Sequence, residues 1–89
     1  MAKKRRKLNK DFEKKIYSSK KNVELVLAKI YDIDDEDIQK EYMSAFNEVG
    51  YSCDVLKEAY DQHGFNEYSE QLLTNYKNSF NLFESEFEI

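Results

Sequence analysis

Few side chains in this sequence are suited to catalysis. There is a single cysteine, Cys53, and a single histidine, His63. If both lie on one helix, their separation in sequence corresponds to roughly 15 Å of rise. A nucleophile and its base need hydrogen-bond contact, so these two cannot act as a pair. Cysteine near a helix N-terminus can carry a lowered pKa, but a small, partly buried filler is the simpler role for Cys53. His63 falls at the end of a helical segment, where the helix dipole favours a protonated imidazole.

Carboxylates are the other chemical resource. Asp32, Asp34, Asp35, Glu36 and Asp37 are crowded enough to suggest a calcium loop. An EF-hand needs glycine at its sixth position and a bidentate glutamate at its twelfth. Counted from Asp32, those positions hold Asp37 and Met43, so the motif fails. The run reads as helix-capping and first-turn acids on a solvated face. A paired-acid site would need a cleft that raises one pKa, which a short helical chain is not expected to enclose. No enzyme, cofactor or metal is expected.

The elements that hold these residues follow from periodicity. Ile38, Tyr42, Phe46 and Val49 line one helical face. Asp34 or Asp35 suits the cap, and Gly50 stands where a left-handed residue would end the helix. Ser52 then reads as a new cap, with Tyr51 and Leu56 as a hydrophobic staple. Val55, Leu56, Ala59 and Tyr60 form the next apolar face, Gly64 the next stop and Asn66 the next cap. Before this stretch, Phe12, Ile16, Val23, Val26, Leu27 and Ile30 make a stripe, with Ser18, Ser19 and Asn22 as poor helix residues in its middle. After it, Tyr68, Leu72, Tyr76 and Phe80 recur every four residues, with Leu73 and Phe83 widening the face. Phe83, Phe87 and Ile89 alternate with Glu84, Glu86 and Glu88. They either continue the helix over the core, the preferred reading, or form an acidic–aromatic docking tail.

The 89 residues make one small domain without proline, with only two glycines. The expected architecture is an all-α bundle of about four helices, roughly 10–31, 35–49, 53–63 and 67–83. Short glycine-terminated connections join them, and consecutive helices pack on one another. Residues 1–8 form a basic arm, and residues 9–89 a single helical domain.

Charge is divided unevenly along the chain. Residues 1–29 hold eleven Lys/Arg against three acids, a balance of +8, while residues 30–89 hold three lysines against fifteen acids, −12; together these give the net −4. Two functions of different class follow. In the first, acidic helices present Asp34, Asp35, Glu36, Asp37, Glu41, Glu48, Asp54, Glu58 and Asp61 to a basic, nucleic-acid-binding protein, imitating nucleic acid and associating fast and salt-sensitively. Tyrosines would supply the apolar contact. In size and charge such a chain is similar to the small helical inhibitors encoded by phages and mobile elements, DNA mimics and anti-CRISPR proteins among them. The Lys/Asn/Glu/Ile/Tyr-rich composition suits an AT-rich bacterial or phage genome. In the alternative, Lys3, Lys4, Arg5, Arg6, Lys7 and Lys10, with Lys14, Lys15, Lys20 and Lys21, grip phosphates directly.

A helix-turn-helix across Gly50 would give its reading helix Asp54, Glu58 and Asp61 against Lys57, and phosphate repels that balance. Self-association through the basic first helix and an acidic face is a third possibility. The lone cysteine favours a reducing compartment. No apolar run is long enough for a membrane span, and no apolar segment follows the basic N-terminus as a secretory signal would require. The expected location is the cytoplasm of a bacterial or infected host cell.

Overall fold

The structure is a computed structural model that describes residues 7–87. Among these residues the chain forms three α-helices and no strand: α1 (Lys10–Tyr31), α2 (Glu36–His63) and α3 (Glu67–Glu86). The all-α class therefore stands, but the bundle has three helices rather than four. The segments 35–49 and 53–63 are one helix of 28 residues, about 42 Å long. Gly50 lies inside it, and Tyr51 and Ser52 are neither staple nor cap.

The reason lies in the phase of the apolar residues. The buried positions of α2 are Phe46, Val49, Cys53, Leu56 and Tyr60, joined on one flank by Ala59. Without Ala59 they step by three, four, three and four, the heptad rhythm of a coiled-coil seam. That rhythm crosses Gly50 without a slip. A glycine inside a helix costs about 1 kcal/mol relative to alanine. A stop at Gly50 would throw Cys53, Leu56 and Tyr60 off the seam, and each large side chain among them is worth about 1.5–3 kcal/mol when buried. Burial outweighs the glycine penalty. Gly50 keeps a non-positive φ, whereas Gly64 has φ 77° and ψ −160° and ends α2.

The other helices share this rhythm. In α1 the buried residues are Phe12, Ile16, Ser19, Val23, Val26 and Ile30. In α3 Ser69, Leu73, Tyr76 and Phe83 are buried, with Phe80 and Phe87 partly buried on the same stripe. Three matched seams give a left-handed type of bundle. The middle helix α2 carries the contacts to both others and runs antiparallel to them. Phe12 meets Tyr60 at 5.6 Å and Phe65 at 5.1 Å between ring centres. At the other end Phe46 meets Phe83 at 4.8 Å, and Tyr42 meets Phe87 at 4.7 Å. Phe87 thus covers the core, as the helical reading of the C-terminal stretch expects. Ile38, expected in the core, is 44% exposed. It lies one turn beyond Tyr42, outside the layer in which Tyr42 meets Phe83 and Phe87.

The joints are held by named groups. Asn9 Oδ1 accepts from the Phe12 N–H at the start of α1 (3.0 Å). The Tyr60 hydroxyl accepts from the Asn9 N–H (3.0 Å) and donates to the Glu13 carboxylate, which ties α1 to the end of α2. Gln39 Nε2 donates to the carbonyls of Ile30 and Tyr31, the last of α1, and so satisfies groups a helix end leaves open. Asn66 and Ser69 form a reciprocal capping box at the start of α3. The result is a rod, 57 × 19 × 19 Å, with a radius of gyration of 15.2 Å against about 12 Å for a compact chain of this length.

Candidate partner-binding face

Of the acids singled out in the sequence, Asp34 and Asp35 lie in the α1–α2 connection. Asp35 caps α2, its Oδ1 accepting from the N–H groups of Asp37 (2.9 Å) and Ile38 (3.2 Å). That carboxylate is committed to the fold. Glu36 and Asp37 occupy the first turn, where negative charge is favoured by the dipole. Glu41, Glu48, Asp54, Glu58 and Asp61 are exposed along α2. Asp61 pairs with Lys57 Nζ at 2.8 Å, and Glu58 accepts from Gln62 Nε2 at 3.2 Å.

Because α2 is one rod, these acids share one axis. At 3.6 residues per turn, Glu41 and Glu48 lie about 120–160° around the helix from Asp54 and Asp61. They form two rows, and Glu58 stands between them. In the middle of the same face is Tyr51, 70% exposed. Glu48 and Asp54 are three residues to either side of it and Glu58 seven further on, all facing outward with it. An open recess of about 700 Å³ lies beside Tyr51, lined also by Leu27, Met43, Phe46, Gly50 and Asp54. Gly50 opens onto this dip: an added Cβ there would meet nothing within 4 Å.

Tyr51 is the residue the sequence reading put in the wrong place. Treated as a staple, it belonged to a helix joint; in the continuous helix it is the exposed aromatic at the centre of the acidic face. The heptad step from Val49 to Cys53 carries the signal that would have found it, since that step leaves Tyr51 on the outside.

The basic candidates divide. Lys3, Lys4, Arg5 and Arg6 lie outside the described residues. Lys7 and Lys10 are exposed. The Lys7 carbonyl accepts from the Phe65 N–H at 2.6 Å, which anchors the backbone there to the α2–α3 joint. Lys10 opens α1, with Lys14 and Lys21 on the same outer side of the helix, and Lys21 sits 5.5 Å over the Tyr17 ring.

Cys53 is 3% exposed on the seam. Burial pushes its thiol pKa up, Asp54 adds to the rise, and Lys20 opposes it. Since α2 continues past Gly50, no helix N-terminus acts on the sulfur, and the lowered pKa considered from sequence does not arise. Next to it in the bundle, the Tyr76 hydroxyl donates to the Ser19 carbonyl at 3.1 Å. Its pKa is pushed up to about 12, first by burial. His63 is exposed in the last turn of α2, more than two turns from Cys53. Among the described residues no three His, Cys, Asp or Glu side chains gather as metal ligands, and no helix is long and apolar enough to cross a membrane. Comparison with protein-family models, curated proteins and solved structures gives no match to this chain.

Proposed function

We propose that this is a non-enzymatic interaction protein whose acidic α2 face binds a basic, nucleic-acid-binding protein and blocks it. The observation that carries this reading is Tyr51, fully outward between Glu48 and Asp54 and beside an open recess. Tyrosine is enriched at binding hot spots, where an aromatic anchor is surrounded by polar groups that exclude water. Surrounding carboxylates steer a basic partner and set the salt dependence.

Charge spacing bounds the resemblance to nucleic acid. Seven acids from Glu36 to Asp61 cover about 38 Å of helix, or one per about 5 Å. Duplex DNA carries one charge per about 1.7 Å. The face therefore supports occupation of a few basic subsites, with Tyr51 adding apolar contact, rather than a replica of a duplex. Placement in a phage or mobile element, and in the cytoplasm, belongs to the same proposal and draws on composition alone.

The test is capture from a nuclease-treated bacterial lysate with the wild-type chain and with Glu48→Lys/Glu58→Lys/Asp61→Lys. The proposal expects one basic protein to be retained by wild type and lost by the reversed chain. Capture that disappears with nuclease would sink it and move attention to the basic arm.

A further inference from the structure

The seam between α1 and α3 is the open side of the bundle, because each helix packs mainly on α2. Within this seam lies a recess of about 380 Å³, a size within the range of small-ligand pockets. Its lining includes Lys14, Lys15 and Asn22 of α1 and Lys77, Phe80 and Asn81 of α3. No carboxylate lines it, although the chain has more acids than bases. Lys77 is one of only three lysines in the acidic portion of the chain. The fold brings it to the pair at the start of α1, a convergence sequence order hides.

The apolar wall is held in place. The Phe80 ring lies 6.2 Å from Phe46 and 5.9 Å from Tyr76. The Tyr76 hydroxyl is engaged by the Ser19 carbonyl. Phe80 is therefore a ring held in place and partly buried, in a recess that three lysines and two asparagines also line. Ammonium groups take phosphate oxygens. Asn amides offer both donors and acceptors to a base edge. An aromatic face stacks a base with little regard to its identity.

We propose that this recess binds a nucleotide unit, with its phosphate on Lys14, Lys15 and Lys77 and its base against Phe80. The site does not depend on the acidic face of α2, which lies on other helix surfaces. Its neighbourhood gives it a direction. Toward Asn9 the adjoining recess shares Lys15 and Lys77 but adds Asp11, Glu67 and Glu70, which repel further phosphates. Along the outside of α1, Lys10, Lys14 and Lys21 continue the positive charge. A chain of nucleotides would leave the recess on that side. The phosphate is supplied either by a free nucleotide or by a single strand.

The experiment is fluorescence anisotropy with a labelled oligothymidylate of about a dozen nucleotides and, separately, a labelled ATP. The full chain is compared with Lys77→Gln and with the control Lys40→Gln on α2. Both lysines are exposed, and far-UV circular dichroism with thermal melting checks that both variants stay folded. The proposal expects Lys77→Gln to weaken binding about fivefold or more near physiological salt. It also expects the slope of log affinity against log salt to fall by about 0.7, one phosphate contact on a single strand. Lys40→Gln should change neither. Binding of labelled ATP with the same Lys77 dependence assigns a free nucleotide; Lys77-dependent binding of the oligonucleotide alone assigns a strand. Absence of binding to both probes, or equal effects of Lys77→Gln and Lys40→Gln, would overturn the assignment.

Discussion

The two glycines of this chain should respond to alanine with opposite signs. Gly50 lies within α2 at non-positive φ, and a Cβ there would meet nothing within 4 Å. Alanine then adds no clash and removes backbone freedom from the unfolded chain, while gaining helix propensity. Gly50→Ala should stabilise the protein by about 0.5–1 kcal/mol. For a domain of this size that corresponds to a rise in Tm of roughly 2–8 °C. Gly64 has φ 77° and ψ −160°, a region essentially reserved for glycine. Gly64→Ala should cost about 1–3 kcal/mol, or a fall in Tm of several degrees. Urea titration followed by circular dichroism at 222 nm measures both. The slope with urea should not change, since neither substitution alters the surface exposed on unfolding. If Gly50→Ala destabilised the protein as Gly64→Ala does, Gly50 would be a left-handed stop. The single long α2, and with it the outward placement of Tyr51, would then be wrong.

Other expectations follow from the same packing. Phe46 is 1% exposed and meets the rings of Phe80 and Phe83, so Phe46→Ala should lose about 3–5 kcal/mol in the same urea assay; a near-neutral value would contradict its place in the seam. Asn66→Ala removes half of the capping box and should cost about 0.5–2 kcal/mol, seen as a lower urea midpoint. The pKa of Tyr76 is pushed up to about 12 in the folded chain, so folding favours its protonated form. Its contribution is fully present below the ordinary tyrosine value near 10 and is lost as pH rises toward 12. Stability should be insensitive to this group at neutral pH and should fall across that alkaline window, and Tyr76→Phe should flatten the fall when unfolding is followed at successive pH values.

Much of the fold was legible in residue order. The start of α3 follows from Asn66 as its cap, and the span of α1 from the stripe of Phe12, Ile16, Val23, Val26, Leu27 and Ile30, which Ser18, Ser19 and Asn22 do not interrupt in the structure. The number of helices was not, because Gly50, Tyr51 and Ser52 imitate a stop, staple and cap, and local signals of that kind are each worth about 1 kcal/mol. What decides is the phase linking Phe46 and Val49 to Cys53 and Leu56, a longer-range pattern whose burial is worth several times more. Ile38 fitted the helical stripe by spacing yet lies beyond the last aromatic layer, and periodicity alone cannot tell where a neighbouring helix ends. Ser19 and Ser69 look like surface residues by type. They are buried because Ser19 bonds back to the Lys15 carbonyl and Ser69 completes the capping box. The acids of the candidate face were readable as exposed charge. Their alignment on one axis, and the recess that Lys77 lines together with Lys14 and Lys15, required the three-dimensional order of the helices.

The most direct test of the central claim is the affinity of the captured partner for wild type against Tyr51→Ala. Tyr51 is exposed, so the substitution leaves the core intact, and melting should confirm an unchanged fold. If the acidic α2 face is the binding surface, removing its central aromatic anchor should weaken binding about tenfold or more, as loss of a hot spot does. Equal affinity for the two chains would contradict it and place the interface elsewhere on the molecule.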